Sequence, residues 1–348
     1  MKLKNISEKI LKTVKSKGFK YIELDSLIDA NSIVERSGEN FRKFIFSFYD
    51  QNGKEICLRP DLTIASCLRY ISKVKSGRNK VFYKGQAYRR PSNKFEKIIK
   101  SQIGFEIIGS KKEKEDDKEI LESSIKLVSN FKYSKGSLKI GNVEIFNLFI
   151  SKLDIPKRWK LRLTRHFWRK KYFDDLLRRL ETNSDIDPTI VEVDKKKFKS
   201  LIRSDPKKLI AGRSVGEILL RFENKIKDPR KIKKGKKISK IIKDFLKIRC
   251  PISKAAYNLN IFFKKNNINL IVDQRYFPVS KNNINKLNVE YYSAFGRELE
   301  YYTGIVFKID IKNKKKIINI LNGGRYDNLI LNLSGKKVPA VGAAVNLS

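Results

Sequence analysis

Apolar positions along the chain follow two rhythms, and the change from one to the other divides it. In residues 5–17, Ile6, Ile10, Leu11 and Val14 fall on one helical face. Asn5, with Glu8 three positions on, stands where a cap belongs, and Gly18 is the natural stop. Phe44, Ile45, Phe46, Phe48 and Tyr49 read as a strand, 50–53 as a turn, and 56–59 as the hairpin partner. Pro60 and Asp61 open a helix carrying Ile64, Ala65, Leu68 and Ile71. Strands are predicted at 81–88 and 102–108, with a polar loop at 91–97. From 113 to 247 the period is mostly helical, as in Ile120, Leu121, Ile125 and Val128. Strand patterning returns at 269–273, 291–296, 302–310 and 316–321, then a Gly-Gly turn and the small-residue run 339–345. Strand-rich ends around a helical middle predict an α+β core, 1–155 with 268–348, interrupted by a helical insertion at 156–267.

Composition narrows the function classes. A chain of 348 residues with 41% hydrophobic positions can bury a real core, so wholesale disorder is excluded. No apolar run approaches the ~20 residues of a membrane helix. The N-terminus alternates charged and apolar residues without the apolar stretch of a signal peptide. Cys57, Cys67 and Cys250 lie far apart, as reduced thiols in a cytoplasmic protein would. His166 is the only histidine, which argues against a histidine-built metal site or a Ser-His-Asp triad. No metal or cofactor is expected.

The formal charge of +41 allows two readings. One is an anionic partner such as nucleic acid, with Trp159, Phe167 and Trp168 interleaved in the basic run 157–171 as stacking platforms. The other, favoured here, is drift in an AT-rich genome, given the abundance of Lys, Ile and Asn.

Four segments carry residue types suited to a small zwitterion. At 59–63 (Arg-Pro-Asp-Leu-Thr), Asp61 and Thr63 can accept hydrogen bonds from an ammonium group, or simply cap a helix. The strand at 83–91 ends in Arg89 and Arg90, either of which offers a planar fork to a carboxylate or sits solvated at an edge. Strand alternation at 102–109 puts Gln102, Gly104 and Glu106 on one face, the floor of a polar pocket or a solvent-facing side. In 295–307, Arg297 could take a carboxylate while Tyr301 and Tyr302 bond a polar ring.

In this order and spacing the segments resemble the histidyl-tRNA synthetase family. The run at 58–63 (LRPDLT) looks like its LRPEGT box, and YKGQAYRRP resembles class II motif 2. The run QIGFEIIG is similar to the strand that follows motif 2. RELEYYTGIVF looks like the RGLDYYTGTVFE signature, and GGRYDNL with VPAVG resembles the approach to motif 3. The resemblance implies a class II aminoacyl-tRNA synthetase-like antiparallel sheet core flanked by helices. Departures point to one branch. Ile98 stands where the synthetases carry an ATP-gripping arginine, and Leu24-Asp25 stands in place of the motif 1 proline. The adenine-clamping motif 3 arginine and the anticodon-binding domain are expected to be absent.

That pattern is similar to the branch serving as regulatory subunit of ATP phosphoribosyltransferase, a non-catalytic role in histidine biosynthesis. The resemblance implies a partner, the short-form catalytic subunit, within a hetero-oligomer in which this chain pairs with itself. It also implies L-histidine as ligand. Asp61, Thr63 and Gln102 would receive its ammonium, Glu106 and Tyr302 its imidazole, and Arg89 and Arg297 its carboxylate, with Tyr301 lining the pocket. The rivals are a degenerate synthetase-like tRNA-binding protein and a minimal adenylating enzyme. Neither tRNA binding nor adenylation is expected.

Overall fold

The computed structural model describes residues 3–37, 39–73, 77–91, 97–131, 133–182, 188–210, 212–226, 232–279, 287–296, 301–313 and 316–347. Two compact units emerge. The first comprises Met1–Ile145, Arg249–Ala256 and Val272–Ser348; the second comprises Phe146–Ile248 and Tyr257–Ile271.

The first unit is built on a nine-stranded sheet. Its strands lie in the order Lys20–Tyr21, Asn79–Tyr88, Ile99–Ile108, Ala340–Asn346, Lys316–Arg325, Ile305–Asn313, Lys135–Asn142, Leu287–Tyr292 and Arg249–Pro251. Its pairs are antiparallel, except that Lys20–Tyr21 runs parallel to Asn79–Tyr88 and Leu287–Tyr292 parallel to Lys135–Asn142. The fold is thus the α+β sheet core expected from the motifs, with a mixed rather than purely antiparallel sheet. Both faces of the central strands are covered. Phe105 meets Phe19 edge-on at 5.7 Å, just beyond the helix Leu3–Ser16, while Glu106 on the opposite face meets Thr63 of the helix Leu62–Lys73.

The local expectations hold where the signal is local. Gly18, at φ 80°, ends the first helix in the left-handed conformation that costs glycine least. That helix already begins at Leu3, so Asn5 lies inside it rather than capping it. The hairpin forms from Ser47–Tyr49 and Glu55–Leu58, and the Asp50 carboxylate accepts the backbone N–H groups of Asn52 and Lys54 at 2.8 and 2.9 Å.

Three further expectations fail. The strand Lys135–Asn142 lies inside the stretch read as helical, yet it is central to the sheet. Residues 269–273 form no strand. Gly323 and Gly324 are not a turn but part of the strand Lys316–Arg325. A Cβ at Gly323 would come within 2.4 Å of the Phe307 ring, and one at Gly324 within 2.7 Å of the Tyr302 ring. Close packing, not chain reversal, requires glycine there.

The second unit is helical. Phe173, Leu176, Leu177 and Leu180 of Lys170–Thr182, and Ile238, Ile241, Ile242 and Phe245 of Ile232–Leu246, follow the i, i+3, i+4, i+7 pattern and are buried. Their core includes Phe146 stacked on Phe167 at 3.9 Å and Phe149 on Phe245 at 4.5 Å. Trp159 is wholly buried, so it offers no stacking surface to a nucleic acid.

Candidate functional site

The start of the helix Leu62–Lys73, the strands Asn79–Tyr88 and Ile99–Ile108, and the residues ahead of the strand Ile305–Asn313 bring six of the eight predicted residues to one cavity of about 740 Å³ in the first unit. Asp61, Thr63, Arg89, Gln102, Tyr301 and Tyr302 all line it. Asp61 caps the helix with one carboxylate oxygen and pairs with Arg89 in the cavity through the other. Its Oδ1 accepts the N–H groups of Thr63 (2.8 Å) and Ile64 (3.2 Å), capping the helix. Its Oδ2 accepts from Arg89 Nη2 at 3.1 Å, and Arg89 Nε donates to the Pro60 carbonyl at 2.7 Å. Of the paired arginines, Arg89 faces the cavity while Arg90 lies over the Phe46 ring. Neighbouring Arg59 is a staple: it is buried and donates to the carbonyls of Leu24, Asp25 and Gln86.

Gln102 belongs to a chain of amides. Its Nε2 donates to Asn346 Oδ1 at 2.9 Å, and Asn346 and Asn322 both donate to Asn319 Oδ1, at 2.8 and 2.6 Å. Tyr301 packs edge-on against Tyr302 at 5.0 Å and against Tyr326 at 6.1 Å, forming an aromatic wall.

Glu106 corrects the sequence reading. Alternation places it on the side of Gln102, but that side is covered, and Glu106 is 1% exposed. It lies beneath the floor instead of lining the cavity. Its Oε1 accepts from Tyr83 (2.6 Å) and Thr63 (3.1 Å), and its Oε2 from Tyr326 (2.5 Å). A direct bond from Glu106 to a ligand is therefore not what this geometry provides. The space at Gly104 is likewise not open: a Cβ there would meet the Tyr83 ring at 2.3 Å. Gly342 leaves room for the carboxylate itself, since a Cβ would fall 1.2 Å from Oε2. Burial pushes the Glu106 carboxyl up to about 7, against the lowering effect of its three hydroxyl donors. Burial and then the Glu106 charge hold the Tyr326 and Tyr83 phenols well above their usual range, so both remain donors.

Arg297 lies outside the described residues. Tyr83 and Tyr326 lie within the motif segments without an expected role, and Asn319, Asn322 and Asn346 likewise carry none. Alternation from Ala87 back to Tyr83 was the only local signal for the first. Nothing local marked the amides.

A sequence model of the family described as histidyl-tRNA synthetase matches residues 1–222 and 236–348. The chain belongs to the histidyl-tRNA synthetase family. Within this family it is 26% identical over 336 residues to the ATP phosphoribosyltransferase regulatory subunit of Sinorhizobium fredii, covering 90% of this chain and 87% of that one. The regulatory subunit of Mesorhizobium japonicum is 25% identical over 358 residues, covering 98% and 95%. Among solved structures, an ATP phosphoribosyltransferase regulatory subunit/histidyl-tRNA synthetase from Bacillus halodurans shares the fold with a TM-score of 0.58 at 18% identity, covering 99% of this chain and 77% of that one. The ATP phosphoribosyl transferase (HisG:HisZ) complex from Thermotoga maritima gives 0.55 at 18% identity, covering 99% and 97%. No helix among the described residues is long and apolar enough to cross a membrane.

Proposed function

We propose that this chain is a non-catalytic regulatory subunit of ATP phosphoribosyltransferase in histidine biosynthesis, cytoplasmic and self-paired within a hetero-oligomer. It supports a separate short-form catalytic subunit and conveys feedback by L-histidine. The observation that carries the ligand reading is the pairing of Asp61 with Arg89 at 3.1 Å inside the cavity. An α-amino acid carries its ammonium and carboxylate on one carbon. Its binding site therefore needs an anionic acceptor and a cationic fork side by side, and these two side chains provide both. Thr63 and Gln102 add polar partners for the ammonium, and Arg297 is assigned to the carboxylate. Tyr302 takes the imidazole against the wall made with Tyr301, while Glu106 acts one hydroxyl removed. The names of the sequence relatives supply the enzyme to which this ligand site belongs.

Loss of adenylation is part of the proposal. Ile98, half exposed beside the cavity-lining Lys97, offers no charge-assisted donor to a phosphate. The purified chain mixed with the short-form catalytic subunit is expected to raise its ATP phosphoribosyltransferase activity, and added histidine to lower it. A catalytic subunit indifferent to this chain would refute the assignment. Histidine-dependent pyrophosphate exchange by the chain alone would restore the synthetase reading.

A further inference from the structure

Three hydroxyls converge on Glu106 from three different elements, a more specific arrangement than burial of an acid requires. Thr63 comes from the helix Leu62–Lys73, Tyr83 from the strand Asn79–Tyr88, and Tyr326 from just beyond the strand Lys316–Arg325. Thr63 and Tyr326 also line the cavity. A hydroxyl has one proton to give and two lone pairs to offer. When the carboxylate is ionised, all three hydroxyls spend their proton on it, and Thr63 and Tyr326 can then present only lone pairs to a ligand. When Glu106 carries a proton, it donates to one of them, and that hydroxyl is free to act as a donor.

We propose that Glu106 is a positioning residue that sets the polarity of the cavity floor: its ionised form makes the floor an acceptor surface for a cationic group, and binding such a group drives its proton into solvent. The inference rests on the histidine reading above and deepens it. It explains why a carboxylate buried beneath the cavity floor is accommodated so closely that Gly342 must lack a side chain. The balance is simple: one proton leaves the Glu106 carboxyl for the buffer, and the ammonium charge enters the cavity in its place.

The surroundings agree. Asp61 acts on Glu106 from the helix N-terminus and disfavours its ionisation, and Cys67 on the same helix is a buried thiol pushed well up by burial. Tyr301, Tyr83 and Tyr326 are the phenols that face it, and all are held protonated. The strand Ala340–Asn346 contributes Gly342, with no charge. The carboxyl sits at about 7, so a ligand cation can shift it within the neutral range.

The test is histidine titration calorimetry on the full chain across pH 6 to 8, in buffers of different ionisation enthalpy, with Glu106→Gln as comparison. The ligand's own imidazole titrates in this range and contributes equally to both proteins, so the difference between them isolates Glu106. A site at about 7 that empties on binding makes wild-type affinity rise ~10-fold from pH 6 to 8 relative to the variant, with proton release that the variant lacks. An infrared difference spectrum should lose a protonated-carboxyl band on binding. If Glu106→Gln fails to fold, Tyr326→Phe replaces it. Removing one donor to the carboxylate should move the midpoint of the affinity profile to higher pH, and an unmoved midpoint overturns the proposal. Equal pH dependence in wild type and Glu106→Gln overturns this inference while leaving histidine binding intact. No histidine binding by wild type at any pH overturns the ligand reading and this inference together.

Discussion

Asp61 serves the helix and the cavity through different oxygens, and that division allows its two roles to be separated. Asp61→Asn keeps an oxygen where Oδ1 accepts the N–H groups of Thr63 and Ile64, so the cap survives. Asn caps about as well as Asp, so this costs little stability. The charge on Oδ2 is lost, and with it the pairing to Arg89. Arg89 is about a third exposed, so that loss is worth no more than ~1 kcal/mol of folding stability. Ligand binding is affected far more. A hydrogen bond to a charged group contributes roughly 1.5–3 kcal/mol, so histidine affinity should fall about 10- to 100-fold. Asp61→Ala should lose the same affinity and, in addition, ~1 kcal/mol of stability from the missing cap. Titration calorimetry reads the first quantity and urea unfolding the second. Histidine affinity unchanged in folded Asp61→Asn would refute the assignment of the ammonium to this carboxylate. Equal stability of the Asn and Ala variants would refute the cap.

The remaining predictions concern neighbouring features. Because the folded-state carboxyl of Glu106 is raised from 4.5 to about 7, the native chain binds more protons than the unfolded one between those values. The contribution of this group to stability is therefore complete below 4.5 and lost as pH rises through 7, by up to ~3 kcal/mol. Urea unfolding of wild type against Glu106→Gln across that range should show the difference; a parallel pair of curves would contradict it. Gly342→Ala should lower stability by ~1–3 kcal/mol or more, because its Cβ meets a Glu106 carboxylate that is buried and held by three hydroxyl donors; an unaltered urea midpoint would count against the packing described. Lys233, Lys236, Lys237 and Lys240 are exposed on the helix Ile232–Leu246. Reversing them to Glu should leave the histidine response unchanged if the positive charge is compositional, whereas salt-sensitive tRNA binding abolished by the reversal would revive the nucleic-acid reading.

Local chemistry was enough wherever an element's identity depends on its own residues. The Asp50–Gly53 turn chemistry, the Asp61 cap and the alternation of the strands around residues 79–88 and 99–108 could all be read directly, because turns, caps and pleats are set by neighbouring atoms. The order of the motif segments likewise sufficed to anticipate the synthetase-like sheet. The strand Lys135–Asn142 was missed because only Leu138 and Ile140 alternate apolar along it; its strand state comes from the ladders that Leu287–Tyr292 and Ile305–Asn313 form on either side. Residues 269–273 have the apolar run of a strand but no ladder partner, and so form none. Gly323 and Gly324 were read as a turn because the rings that exclude a side chain there, Phe307 and Tyr302, come from other parts of the chain. Glu106 shows the same division most clearly. Alternation assigns its face, but whether that face is open depends on Tyr83 and Tyr326, whose hydroxyls reach it from residues 23 and 220 positions away. A sequence specifies which way a side chain points; only the packing of distant elements decides what it meets there, and for a buried acid that determines its charge.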